Sequence, residues 1–95
     1  MPAAHRKGDY CTGHGCFPTR PNIEGSPDVF VNNIAWHRKN DAWLTHCCGP
    51  SCHSSVLASG SSTVFVNGKD AARIGDPVAC SSRCLDGSPD TFAGG

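Results

Sequence analysis

A chain of 95 residues, of which 38% are hydrophobic, has room for one small domain and too little apolar material for a Leu-rich helical core. Eight basic residues balance eight acidic ones, so no basic patch is available for nucleic acid, and no apolar stretch approaches the roughly 20 residues that span a bilayer. We expect a single domain over residues 1–95, without an effector extension, stabilised by something other than a large core.

The N-terminal segment is polar and charged, and the chain contains seven cysteines and five histidines. Residues 1–10 lack the apolar run of a signal peptide, so the oxidising compartment that a disulfide framework needs is not implied. Metal binding is therefore favoured over disulfides as the stabilising device.

Three segments further along the chain resemble one another, and each predicts a β-hairpin. They are residues 25–33, 60–68 and 87–95. In the middle copy, residues 63–66 are β-branched and aromatic, and Asn67-Gly68 is a strong signal for a tight hairpin turn. No stretch sustains helical spacing of apolar residues, so we expect an all-β fold with little helix.

The repeat extends beyond each turn to an Arg followed three residues later by an Asp. The third copy reaches residue 95 without this return strand, and residues 3–9 supply a matching one. We therefore expect the N- and C-terminal strands to pair and to close three units about a pseudo-threefold axis, which would reduce exposed sheet edges; an open β-meander is the alternative. The repeated pairs are Arg6 and Asp9, Arg38 and Asp41, and Arg73 and Asp76.

Other positions are also equivalent in the three units. His5 and His37 occupy the place of Ala72 and are predicted to be structural or solvent-facing. The Arg and Asp residues are predicted to make polar contacts between neighbouring units or to backbone carbonyls. A small shared core is predicted for three equivalent aromatic residues, Phe30, Phe65 and Phe92.

Each repeated Asp is followed four or five residues later by a residue that can bind metal: His14, His46 or Cys80. A pseudo-threefold fold would deliver one such ligand per unit to the axis, and His53 can supply a fourth. Three imidazoles and one thiolate suit tetrahedral Zn²⁺, and a site with all four positions filled by protein is structural rather than catalytic. We therefore predict one structural zinc and no catalytic residues.

Several cysteines leave alternatives open. Cys84 competes with Cys80 as a ligand, whereas Cys16, Cys48 or Cys52 could replace His53, pack, or form disulfides after assembly. A zinc-ribbon-like binding module is the alternative fold, because Cys47, Cys52, Cys80 and Cys84 have suitable spacing.

Residues 70–76, Asp-Ala-Ala-Arg-Ile-Gly-Asp, together with residues 60–68, resemble the signature of the PAAR-repeat family, which is named for a Pro-Ala-Ala-Arg motif. Asp70 replaces the Pro of that motif. Residues 2–6, Pro-Ala-Ala-His-Arg, resemble an interrupted second copy, and residues 34–38 a degraded third.

This resemblance implies a small cone whose apex holds zinc through three His and one Cys. Its broad base would sit, as a monomer, on a trimeric β-helical spike, either a VgrG-like protein of a type VI secretion system or the central spike of a contractile phage tail. Such a tip is made in the bacterial cytoplasm, is delivered outward on contraction and pierces a target membrane. Longer family members carry toxin effectors, which the resemblance adds as candidate partners.

Overall fold

The computed structural model describes residues 1–95 and is all-β, with three two-stranded antiparallel sheets and no helix. None of its segments is therefore a helix that could span a bilayer. The strands are β1 Phe30–Val31, β2 Ile34–Ala35, β3 Ala42–Cys48, β4 Ser51–Val56, β5 Phe65–Val66 and β6 Lys69–Asp70.

Two of the predicted hairpins close on tight turns. β1 and β2 are joined by Asn32 and Asn33, with φ of 55° and 64°, and β5 and β6 by Asn67 and Gly68, with φ of 54° and 77°. Both central residues of a type I′ turn need this left-handed conformation, which Asn and Gly adopt more readily than other residues. The turn chemistry thus sets the register of both hairpins.

The third hairpin forms from the two ends of the chain, as predicted. Ala3 and Phe92 are antiparallel bridge partners. The Ala4 amide donates to the Thr91 carbonyl at 2.8 Å, and the Ala93 amide to the Pro2 carbonyl at 3.1 Å. The three units therefore close into a ring.

A triangle of backbone hydrogen bonds marks the pseudo-threefold axis. The His5 amide donates to the Ala72 carbonyl at 3.0 Å, Ala72 to His37 at 2.9 Å, and His37 back to His5 at 3.2 Å. All three residues are fully buried, and both His rings pack on Trp43, with centroids 5.3 and 5.2 Å away. The structural interpretation of His5 and His37 is confirmed, and the solvent-facing one is wrong, because both residues are fully buried on the axis.

Each unit is also tied to the next through its hairpin turn. A buried Ser at the start of each unit donates to an oxygen in the turn of the following unit, and the repeated Arg donates to the same oxygen through Nη1. The bonds run in one direction around the ring. They join Ser26 and Arg38 to Asn67, Ser61 and Arg73 to Gly94, and Ser88 and Arg6 to Asn32.

The repeated Asp lies within its own unit as the partner of the same Arg. Asp41, whose side chain is 1% exposed, accepts from Arg38 Nε at 2.8 Å, from Nη2 at 2.9 Å and from the Arg38 amide at 2.9 Å. The equivalent pairs repeat this pattern. The predicted contacts between units therefore belong to the Arg, while the Asp closes the turn that leads out of the ring.

The predicted aromatic core is wrong. Phe30, Phe65 and Phe92 are 57%, 56% and 49% exposed, whereas the next residues, Val31, Val66 and Ala93, are buried. Successive side chains of an extended segment point to opposite faces, and in each of the three pairs the smaller side chain is the one turned inward. The core lies elsewhere, in a cluster of Cys11, Trp43, Leu57, Ala72, Val78 and Cys84.

Candidate metal centre

The longest hairpin of the molecule, β3–β4, carries two of the predicted ligands. His46 and His53 are directly paired across it, and Gly49, with φ of 61°, lies in its turn. Strand pairing brings the two imidazoles together.

Two turns bring the other predicted ligands to this hairpin. His14 begins a tight turn in which its amide and carbonyl are both bonded to Phe17, at 3.1 and 2.9 Å. Cys80 lies in a turn closed by a 2.8 Å bond from the Val78 amide to the Ser82 carbonyl. The ligand atoms of His14, His46, His53 and Cys80 all lie within 4.8 Å of one another.

The geometry of the cluster fits a tetrahedral ion. The Nε2 atom of His53 is 3.1 Å from that of His14 and 2.7 Å from that of His46. Nitrogen ligands about 2.0–2.1 Å from a tetrahedral Zn²⁺ would be roughly 3.3 Å apart, so a small outward movement would accommodate the ion. His46 Nδ1 donates to the Pro18 carbonyl at 2.9 Å, which leaves its Nε2 free to bind metal.

The electrostatics of the cluster favour the forms that bind metal. Desolvation lowers the pKa of both His14 and His53, and the charges of neighbouring groups lower it further, so neutral imidazoles prevail at neutral pH. Desolvation opposes ionisation of Cys80, but hydrogen bonds with Ser82 and the charge of Arg20 outweigh it and lower the pKa of the thiol.

Two residues that sequence reasoning missed surround the cluster. The Phe17 ring lies 4.3 to 4.9 Å from the rings of His14, His46 and His53, measured between centroids, and it covers one side of the imidazoles. Arg20 is buried and contacts Cys80. Neither residue belongs to the repeat, so repeat alignment held no signal for them.

Two disulfides flank the cluster. Cys16–Cys48 links the His14 segment to β3, and Cys47–Cys52 crosses the β3–β4 hairpin. Among the alternatives left open for Cys16, Cys48 and Cys52, the structure has disulfide pairing. Metal and disulfides are thus not exclusive choices here, because none of the four cysteines in these disulfides belongs to the cluster of His14, His46, His53 and Cys80.

The remaining cysteines do not assemble a zinc-ribbon site. Cys84 is buried in the core opposite Cys11, where desolvation strongly raises the pKa of its thiol. Cys47 and Cys52 are bonded to each other. Cys80 is the one cysteine that joins the histidine cluster.

A second group that could ligate a metal, His5, Asp9 and Asp86, lies beside the ring. Its donors are already engaged: His5 Nδ1 bonds the Asp86 carbonyl oxygen at 2.6 Å, Asp9 is paired with Arg6, and the Asp86 carboxylate accepts from the Tyr10 amide at 2.7 Å. We therefore assign no metal to this group.

Comparison with known proteins matches residues 12–86 to the family model of the PAAR motif. Over 74 residues, the chain is 39% identical to double-stranded DNA deaminase toxin A of Burkholderia cenocepacia, which covers 74% of this chain and 5% of the toxin. It is 38% identical over 79 residues to two Pseudomonas aeruginosa proteins, NAD(P)(+) glycohydrolase toxin Tse6 and (p)ppApp synthetase toxin Tas1, covering 77% of this chain and 18% of each toxin. The chain thus spans 5% to 18% of the length of these relatives.

Proposed function

Since this chain belongs to the PAAR-motif family, we propose that it is a non-catalytic tip protein that caps a trimeric β-helical spike and sharpens it for piercing a target membrane. Among contractile machines, the toxin relatives favour a type VI secretion system with a VgrG-like spike over a phage tail. The protein would be made in the bacterial cytoplasm and delivered outward at the end of the spike.

The observation that supports spike capping most directly is the closed ring of three units. A single chain is normally asymmetric and would meet only one subunit of a trimer in a given way. Here the triangle through His5, His37 and Ala72 gives one monomer three nearly equivalent sides. Each side can meet one subunit of a threefold partner, so a one-to-three complex satisfies the symmetry of both proteins.

Metal binding at His14, His46, His53 and Cys80 is the second part of the proposal. Three imidazole nitrogens and one sulfur suit Zn²⁺ better than the hard ions Mg²⁺ or Ca²⁺. With all four positions filled by side chains, no open position remains for substrate or water, so the ion would be structural. Binding would add folding free energy on the order of 10 kcal/mol to a protein with a core of six residues.

The names of the relatives suggest what kind of cargo the tip would deliver. They are toxins by name, and the matched segment is a small part of each. We infer that this segment is the spike-binding part of those chains. In the present protein the same fold, as a single domain over residues 1–95, would carry or accompany a toxin effector.

One reconstitution experiment tests both spike capping and zinc binding. The chain is mixed with a purified trimeric spike fragment, and the mass of the complex and its zinc content are measured by light scattering and elemental analysis. We expect one chain per trimer and one zinc per chain. His14→Ala combined with His46→Ala should abolish zinc binding, whereas His37→Ala, which removes a histidine outside the cluster, should retain it.

The two parts fail separately. No complex with any such spike would refute capping and leave the metal site untouched. Full zinc content in the double variant would refute the ligand set while leaving capping open.

A further inference from the structure

Arg20 is the buried charged residue closest to the metal cluster, and the repeat does not account for it. It is 2% exposed. Its Nη2 donates to Cys80 Sγ at 3.0 Å, and its Nη1 donates to the Leu44 carbonyl at 2.9 Å and the His53 carbonyl at 3.4 Å. One guanidinium therefore touches β3, β4 and the turn that presents the sulfur.

Away from the metal cluster, the guanidinium of Arg20 packs against the core. Its central carbon lies 5.8 Å from the centroid of the Trp43 ring, and its Nε has no hydrogen-bond partner. The bonds that orient the group are thus those made to the elements of the metal cluster. Burying a charged side chain is costly unless it is paired and hydrogen-bonded, and the hydrogen bonds of Arg20 go to Cys80 and to the two strands of the adjacent hairpin.

We propose that Arg20 is a positioning residue that holds the Cys80 sulfur toward the three histidines and so prepares the fourth corner of the metal site. This inference rests on the metal-binding role proposed above. The histidines have their own supports in strand pairing, in the Pro18 carbonyl and in the Phe17 ring. Cys80 lies in a separate turn, which a 2.9 Å bond from the Ala79 amide to the Val56 carbonyl joins to β4. Ser82 contacts the sulfur at 3.4 Å, and Arg20 ties the sulfur to both strands of the hairpin.

The proposed role of Arg20 depends on the planar, forked shape of its guanidinium group. Its two terminal nitrogens point to the sulfur and to backbone carbonyls at the same time, with fixed separation. A lysine ammonium carries the same charge but is a single point and cannot hold both groups in this geometry. Because an Arg20→Lys change keeps the charge and removes only the fork, a loss of metal binding in that variant reports the geometry.

The test compares Arg20→Lys and Arg20→Met with the intact chain, using Co²⁺ as a spectroscopic substitute for zinc. Affinity is measured by competition with a chromophoric chelator, and the sulfur-to-cobalt charge-transfer band reports the Cys80 bond itself. We expect Arg20→Lys to weaken Co²⁺ binding about 10- to 100-fold, as loss of a supporting residue typically does, and to diminish the band. Arg20→Met loses the fork and the charge together, and it should diminish the band as well.

A double-mutant cycle separates positioning from general stabilisation of the fold. In a Cys80→Ser background the Arg20→Lys change should cost much less Co²⁺ affinity than in the intact chain, because the sulfur it positions is gone. The matched control is Arg83→Lys, at an exposed arginine whose Nη1 donates to the Gly75 carbonyl, and it should change neither affinity nor band.

Co²⁺ binding by Arg20→Lys within twofold of the intact chain, with an unchanged band, would overturn this inference alone. An equal loss in the Cys80→Ser background would also overturn it, because Arg20 would then act on the fold at large. Absence of any Co²⁺ or zinc binding by the intact chain would overturn the proposed metal role and this inference with it. If Arg20→Lys fails to fold, the band of Arg20→Met decides, and a full-strength band there refutes positioning.

Discussion

Acid should destabilise this protein through His37, on the ring axis. The residue is fully buried. Its Nδ1 bonds the Glu24 carbonyl oxygen at 2.7 Å, and its Nε2 has no partner. Burial lowers the pKa of His37 from 6.5 to about 4, although the Glu24 carbonyl opposes this. The folded protein therefore keeps this imidazole neutral under conditions in which the unfolded chain protonates it.

The sign and size of the effect follow from linkage. Between pH 6.5 and 4 the unfolded state binds more protons at this site than the folded state, so stability falls as the pH falls. Each pH unit in that window is worth up to about 1.4 kcal/mol. At pH 5, with the pKa near 4 when folded and 6.5 when unfolded, the loss at His37 is about 2 kcal/mol.

The assay is urea unfolding at pH 7.5 and pH 5, in chelator so that no metal contributes. His37→Ala is the matched control, because Ala72 already occupies the equivalent ring position. The variant should be less stable at pH 7.5, but it should lose about 2 kcal/mol less than the intact chain on acidification. An identical loss in the two proteins would refute the assignment of this acid sensitivity to the ring.

Three further changes test the framework, each by urea unfolding. Asp41→Asn should lower the free energy of unfolding by about 3–5 kcal/mol, because it breaks a buried ion pair. Asp9→Asn, at a carboxylate that is 13% exposed, should lower it clearly less. Equal losses in the two variants would contradict the argument from burial. Cys16→Ser with Cys48→Ser should cost about 3–4 kcal/mol under oxidising conditions and little in reductant; a loss unchanged by reductant would argue against the disulfide. Gly60→Ala should cost about 1–3 kcal/mol or more, because the added Cβ collides with the Ala71 carbonyl; a neutral result would mean that the strand can move aside.

Much of the fold could be predicted because the repeated segments carry their own turn residues and resemble one another in sequence. Asn67-Gly68 specifies its own turn, and the match between residues 3–9 and the return strands of the other units implied closure of the ring. The same alignment placed His14, His46 and Cys80 at comparable positions, and the structure brings them together; their role as ligands remains a prediction.

The failures concern features that only three-dimensional packing decides. In a strand of two residues, either Phe30 or Val31 could have faced inward, and the sequence pattern is too short to choose. The smaller side chain is the one that lies inside. Arg20 is one of several arginines in the sequence, and what distinguishes it is contact with Cys80, 60 residues away.

The proposed metal site offers a chemical reason for the departure from threefold symmetry. Three equivalent units can deliver three equivalent ligands to an axis, but a closed tetrahedral site needs four. The chain resolves this mismatch after Asp41, where the β3–β4 hairpin carries His46 outward on one strand and returns with His53 on the other. This hairpin also carries three of the four disulfide cysteines and two of the carbonyls that orient Arg20. The ring thus repeats, and a hairpin outside the repeat carries His53, the proposed fourth ligand.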